Sequence, residues 1–384
     1  MPKVMVSEAV VSTSSSTLTD SVQAAPKSSA RLTMPQPARH PSPTAKAQRL
    51  AHLIFERPDL QKAEAFLRDF GLVTCDRNSN SIFMRGSAEA PFCYEIRKGK
   101  KAQFLGFGLE VESREALEAL SRIKGAKPIQ AIATPGGGEV VRLTDPNGFL
   151  VEAVFGQTYY EEIKQREPLT LNTNHVERVN AVQRVAEAPS QIIKLGHVVL
   201  ETAEYQQTCA WYTAHLGLIP SDVQVLPDGS PFVTFFRFDL GDTPADHHSI
   251  AIGQGFCAQY NHSAFEVLDQ DAVGMGQQVL RNKGYNHAWG IGRHILGSQI
   301  FDYWEDPWGF KHEHYCDGDR FTEDSPMGVS FANKQGLYQW GAPLPAKFIK
   351  PKINFANVIA LLKNLRKSPD LSMTKLLTMA KTML

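Results

Sequence analysis

The sequence predicts an α+β protein built from four β-α-β-β-β units, two in each of two domains. Three observations predict it. First, the chain repeats itself. Gly196-His197-Val198-Val199-Leu200 matches Ala51-His52-Leu53-Ile54-Phe55, and Trp211 to Leu218 matches Ala65 to Leu72. Second, each apolar strand-like run is followed by a helical spacing, such as Leu60, Ala63, Leu67 and Phe70. Third, the turn Asp145-Pro146-Asn147-Gly148 leads to Glu152 as Asp306-Pro307-Trp308-Gly309 leads to Glu313. Repeats of this length mark one structural unit used several times. The units fall at about 51–100, 104–156, 192–255 and 260–316.

Residues 1–46 are rich in Ser, Thr, Ala and Pro and contain no Phe, Tyr, Trp or Ile. They cannot bury enough apolar area to offset ordering entropy and are expected to form a disordered tail. The tail lacks the apolar core of a secretory signal, and Glu8 and Asp20 argue against a transit peptide. The N-terminal domain spans 47–156. It opens with a strand at 51–56 and a helix stopped by Gly71. Two strands follow over 81–97, turning at Gly86-Ser87. The next unit starts with a strand at 104–111 and a helix over 113–123. It closes with strands 139–144 and 149–154 across the Asp-Pro-Asn-Gly turn. Residues 157–190 are polar and irregular and read as a linker. The C-terminal domain spans 191–320. An extension over 321–384 carries apolar residues at helical spacing, among them Val358, Leu361, Leu362 and Leu365, which suit a helix covering the domain or a subunit contact.

At 384 residues the chain is long enough for two full cores. Lys+Arg and Asp+Glu are 40 each, so the net charge gives no support for nucleic-acid binding or for a polybasic membrane surface. No apolar run approaches the ~20 residues that a membrane-spanning helix needs. The five cysteines are scattered without a CxxC and read as reduced thiols of a cytoplasmic protein. Gly136-Gly137-Gly138 precedes a strand, so it is a turn and no phosphate cradle; no organic cofactor is implied.

Histidine is the informative count. Nine of 12 lie between His197 and His314. His197, His262 and Glu313 each sit in a strand-like segment. Either histidine alone would more often be a satisfied core residue. A buried Glu313 without a cation would be costly, which points to a partner. Two imidazoles and a carboxylate on one face of a metal leave the other face open to substrate and dioxygen, as in non-haem Fe(II) oxygenases. His312 and His314 flank Glu313, and strand alternation sends both to the opposite face. In the first half, the aligned positions are His52, Gly106 and Glu152. Gly106 has no donor, so that domain is expected to be metal-free.

The pattern over about 51–345 resembles the vicinal oxygen chelate superfamily, and within it the two-domain extradiol ring-cleavage dioxygenases. The fold implied is the glyoxalase/bleomycin resistance/dihydroxybiphenyl dioxygenase type, with units paired into two open barrels. The implied activity is cleavage of a catechol ring by O2 at one Fe(II), with Mn(II) open as an alternative. His197, His262 and Glu313 take the positions of the family's metal ligands. His248, 14 residues before His262, matches its acid–base histidine, and a one-residue register error would substitute His247. Tyr303 and His294 match a substrate-contacting tyrosine and a histidine that bonds the substrate hydroxyl. His215 and His287 read as surface histidines, and His175 lies in the linker. The resemblance implies a small aromatic diol and O2 as partners and leaves a homo-oligomer open. The competing readings are a 4-hydroxyphenylpyruvate dioxygenase-like enzyme, for which the ligand gaps here are short, and a non-enzymatic binding protein, which predicts degraded ligands.

Overall fold

The computed structural model describes residues 36–349 and 355–383. Two mixed sheets with the same strand order carry the repeat. In the first, Ala47–Arg57 and Gln103–Val111 run antiparallel at the centre. Tyr94–Lys98 lies parallel to the former and Leu150–Phe155 parallel to the latter. The second sheet repeats this with Ile192–Thr202 and Gln259–Val267 at the centre, flanked by Ile250–Gln254 and Lys311–Cys316. It adds Gly328–Phe331 and Trp340–Gly341 at its edges.

Each unit contributes one helix against its sheet: α1 (Leu60–Phe70), α2 (Arg114–Ser121), α3 (Tyr205–Leu216) and α4 (Gln270–Asn282). Their ends follow local chemistry. The side chains of Asp59, Ser113 and Asp269 accept from the backbone N–H three residues on, capping α1, α2 and α4. Gly71 ends α1 with φ +112°, a conformation open to glycine at little cost. The Asp-Pro-x-Gly turns are closed by their own aspartates. Asp145 Oδ1 accepts from the N–H groups of Asn147 and Phe149, and Asp306 Oδ1 from those of Trp308 and Phe310, all at 2.9 Å.

The two halves share one apolar core. His314 stacks on Phe70 and its Nε2 donates to the Phe70 carbonyl at 2.7 Å. His312 packs among Phe55, Phe66 and Tyr94. The face opposite Glu313 is thus the contact between halves. Arg57 joins it as a buried cation, 2.8 Å from Asp306 and lying over the Phe55 and Phe310 rings.

Residues 1–35 of the expected tail lie outside the described residues. Residues 36–46, assigned to the same tail, lie against the second half. Thr44 N–H donates to Ala214 at 2.8 Å, Ala45 is buried, and Arg39 and Lys46 both reach Asp239, at 2.8 and 2.7 Å. A buried carboxylate answered by two cations, with Pro37 and Ala45 buried as well, holds this short segment. Residues 157–190 carry no helix or strand and run over the surface, held by Arg166–Asp269 and by Ile163 N–H to Ser87 at 2.8 Å.

Three short helices close the chain: α5 (Ala346–Ile349), α6 (Phe355–Lys367) and α7 (Met373–Met383). No helix among the described residues is long and apolar enough to cross a membrane. The five cysteines are free, four of them buried.

Candidate metal centre and active site

The strand Ile192–Thr202 alternates. Val198 and Leu200 enter the core, while His197, Val199 and Glu201 face a cavity of about 920 Å³. His262 reaches the same cavity from the neighbouring strand, and Glu313 stands on the strand beyond. Ala264, between them in register, pairs with His197 on one side and Glu313 on the other. Three nearly equal separations result. His197 Nε2 is 3.3 Å from His262 Nε2 and 3.3 Å from Glu313 Oε2, and His262 Nε2 is 3.5 Å from Glu313 Oε2.

The carboxylate is the decisive group. Glu313 has no solvent exposure, and neither of its oxygens accepts a well-aligned hydrogen bond. A buried anion left so is costly by several kcal/mol unless a cation joins it. Among the described residues no Lys or Arg lies within 4 Å of the Glu313 carboxylate; its neighbours are the rings of His197, His262 and His294. Burial drives His262 well below the ordinary histidine pKa, so its ring is neutral and presents a lone pair. Its tautomer is fixed: Nδ1–H donates to Asn261 Oδ1 at 2.8 Å, leaving Nε2 bare. Asn261 is turned for that by giving its amide N–H to Glu201. The ring nitrogens of His197 and His262 and a carboxylate with no Lys or Arg beside it lie close enough together to hold a divalent metal.

The fold alone admits several chemistries; likeness to known proteins narrows them. Residues 194–313 match the Glyoxalase/Bleomycin resistance protein/Dioxygenase superfamily. The chain is 30% identical over 335 residues to metapyrocatechase 2 of Cupriavidus necator, covering 81% of this chain and 96% of that one. This chain belongs to the extradiol dioxygenases of that superfamily. It is also 30% identical over 140 residues to an iron-dependent extradiol dioxygenase of Rhodococcus jostii, covering 34% of this chain and 45% of the relative. The homoprotocatechuate 2,3-dioxygenase of Arthrobacter globiformis shares the fold with a TM-score of 0.67 and 20% identity, over 83% of this chain and 96% of its own.

In this dioxygenase three more side chains face the cavity. His248 stands two residues before the strand Ile250–Gln254. Its ring lies 4.2 Å from that of His197. His247 turns away, its Nε2 2.7 Å from Asp222 Oδ2 and its Nδ1 2.9 Å from His248 Nδ1. A carboxylate can only accept, so His247 Nε2 carries the proton. In a neutral His247 the Nδ1 then accepts from His248 Nδ1–H. That leaves His248 Nε2 without a proton. Burial, then the neighbouring imidazoles of His197 and His247, hold its pKa well below the ordinary value.

His294 is fixed in the same manner. Its Nδ1–H donates to the Leu337 carbonyl at 2.8 Å, so Nε2 accepts from the Tyr303 hydroxyl at 2.9 Å. Nε2 also lies 3.6 Å from Glu313 Oε1. Sequence reasoning did not single out Asp222, Asn261 or Leu337. Each acts from a strand or segment whose partner no local period reveals. His287 is exposed, as expected of a surface histidine; its Nε2 lies 2.7 Å from the buried Asp302 and its ring packs on Trp304.

The rest of the wall is mostly apolar, with Glu305, Lys311, Lys347 and several Gln and Asn side chains among it. Phe104 and Phe149 reach in from the first half, Phe232 and Trp289 from the second, and Leu344 and Phe348 from the C-terminal segment.

Proposed function

We propose that this extradiol dioxygenase binds one Fe(II) through His197, His262 and Glu313 and opens the ring of a catechol that carries an apolar substituent. The observation that carries the reading is Glu313: a fully buried carboxylate that accepts no well-aligned hydrogen bond, beside the His197 and His262 ring nitrogens on a cavity wall. Iron is favoured over manganese because a relative of the same family is iron-dependent, although this ligand set accepts both. When bound, the iron acidifies the diol and holds it together with dioxygen in one coordination sphere.

The chain supplies the rest. His248 is neutral with Nε2 free, so it takes a hydroxyl proton from the diol and returns a proton later in the reaction. The Asp222–His247 pair keeps that nitrogen the basic one. His294 Nε2, which accepts from Tyr303, accepts equally from a diol hydroxyl and orients the ring. A cavity of about 920 Å³ lies towards the upper end for small-molecule sites and exceeds what a bare catechol fills. Its aromatic and aliphatic lining favours an alkyl or aryl substituent.

The test is anaerobic loading with Fe(II) or Mn(II), then oxygen with catechol, alkylcatechols and 2,3-dihydroxybiphenyl. A yellow product with one O2 consumed per diol, strongest for the apolar diols and absent in His262→Ala, is expected. Stoichiometric metal with turnover of a keto-acid and no diol would replace ring cleavage by another oxygenase reaction. Failure to bind any divalent metal would remove the centre itself.

A further inference from the structure

The chain as a whole is neutral, but its charge is not evenly spread. Residues 346–384 hold eight Lys and Arg and a single acid, Asp370. Asp370 is buried and accepts from Gln206 N–H, so it faces inward. Lys375 is also buried, donating to Gln254. The charges left outside on α6 and α7 are Lys363, Arg366, Lys367 and Lys381, all exposed and all positive.

The same outer faces are apolar. On α6, Leu361 and Leu365 turn towards the domain, while Phe355, Val358, Ile359 and Leu362 turn out, with Phe355 82% exposed and Leu362 56%. These fall on one helical stripe that continues into Arg366. On α7, Met373 and Leu377 stand outside, about two turns and one turn before Lys381. Six large apolar side chains stand outside on these two consecutive helices, more than a soluble surface usually leaves bare. Cations flank them, and neither helix carries an acid; the exposed Asp228 lies beside the buried Lys375.

We propose that α6 and α7 form a surface that docks reversibly on an anionic lipid bilayer, with the apolar stripe in the headgroup–acyl boundary and the lysines and arginines on the lipid phosphates. An amphipathic helix with a cationic flank has the features of this mode, and helices of this length lie on a bilayer without spanning it. Charge complementarity decides between a bilayer and a second copy of the chain. A twofold contact of these helices sets like charges together, with no acid on either helix to offset them. Whole-chain neutrality hides this surface, which is why the balanced composition suggested no membrane contact.

Docking would also place the active site. Asn357 on α6 and Met383 on α7 line the same cavity as His197 and His262. The helices therefore stand between the bilayer and the pocket, and an apolar diol dissolved in lipid would meet the cavity where it leaves the membrane. The docking itself does not depend on the reading of the reaction.

The experiment is flotation of the full-length, metal-loaded protein with phosphatidylcholine vesicles, with and without phosphatidylglycerol, at low and high salt, with no substrate present. Binding only to the anionic vesicles, falling with salt, is expected. Each cation reversed among Lys363→Glu, Arg366→Glu and Lys367→Glu should lower partitioning about fivefold or more. Ile359→Ser and Leu362→Ser should each lower it about tenfold. All these positions are exposed, so turnover of a water-soluble catechol should not change. Absence of binding, equal binding to neutral vesicles, or indifference to the substitutions would overturn the proposal. So would an oligomer that splits into monomers in Ile359→Ser/Leu362→Ser while no variant floats, since the patch would then be a subunit contact.

Discussion

The two halves place the same positions in the same geometry and fill them differently. His197 and Glu313 correspond to His52 and Glu152, and in both sheets one small residue stands between them in register, Ala264 or Gly108. The third proposed ligand, His262, corresponds to Gly106. Tyr303, paired in register with Glu313, corresponds to Arg142, paired with Glu152. His248 corresponds to Phe92, whose ring lies 4.7 Å from that of His52, as His248 lies 4.2 Å from His197. The first half therefore answers its buried carboxylate from within. Glu152 takes 3.1 Å from His52 Nε2 and 2.8 Å from Arg142 Nε, with Arg97 3.7 Å away. In the second half no protein cation approaches Glu313 in this way. The comparison teaches that a buried carboxylate does not by itself mark a metal site; the missing counter-charge does.

The sharpest way to break this comparison is metal content. Glu313→Gln and His262→Ala should lose bound metal and fall to background activity. Glu152→Gln should keep full metal and activity. Metal lost from the Glu152 variant, measured by emission spectrometry after anaerobic loading, would place an ion in the first half. The reverse substitution sharpens the point. Gly106→His should gain no second metal, for two reasons. Gly106 sits at φ +158°, with a Cβ there 1.9 Å from the Leu150 carbonyl oxygen, and Arg142 already holds the carboxylate.

Next in size is the Phe92–His248 difference. His248→Phe converts the second half to the first at that position. It should retain metal and lose about 10²–10⁴-fold in kcat, the range for removing a general acid–base group. Asp222→Asn keeps His248 but can donate to His247 Nε2, which favours the other tautomer along the pair. A smaller kcat loss with an altered pH profile and unchanged metal content is expected. An unaltered profile would reduce Asp222 to a packing role.

A third difference lies at the turns that aim the two glutamates. Asp306 is answered by buried Arg57, whereas Asp145 accepts from the Tyr212 hydroxyl at 3.1 Å. Burial raises the pKa of both aspartates. Arg57→Met keeps much of the side-chain volume but strands Asp306 and should cost about 3–5 kcal/mol. Tyr212→Phe removes a single hydrogen bond and should cost about 1 kcal/mol. Urea denaturation of both variants measures the gap, and equal losses would mean that Arg57 contributes through ring packing alone.

Much of this architecture is legible in the residues because it is periodic. Strand alternation separates Glu313 from His312 and His314, the repeat pairs each ligand with its counterpart, and the Asp-Pro-x-Gly turns fix the register that aims Glu152 and Glu313. What period does not encode is long-range pairing. Asp222 meets His247 across 25 residues, Arg39 meets Asp239 across 200, and Leu337 reaches His294 from the C-terminal segment. Arg142 offers no sequence signal as a stand-in for Tyr303 until the register of two strands is known. The outward turn of Val358 and Leu362 against the inward turn of Leu361 and Leu365 likewise needs the helix placed on its domain.

The last expected effect is a pH dependence carried by the first half's Glu152. Burial raises the Glu152 pKa, but the hydrogen bond and charge of His52 and those of Arg142 outweigh it and bring the group down to about 2, from 4.5. Between those values the unfolded chain binds a proton that the folded chain does not. Folding is then favoured by up to about 3 kcal/mol above pH 4.5, and that contribution drains away as the pH falls towards 2. Glu152→Gln carries no such proton. Its stability, read from urea midpoints over that window, should fall less steeply with acid than that of the unsubstituted protein, whatever its absolute level. Parallel curves would mean that His52 and Arg142 do not hold the carboxylate charged, and the contrast between a self-neutralised first half and a metal-dependent second half would lose its electrostatic basis.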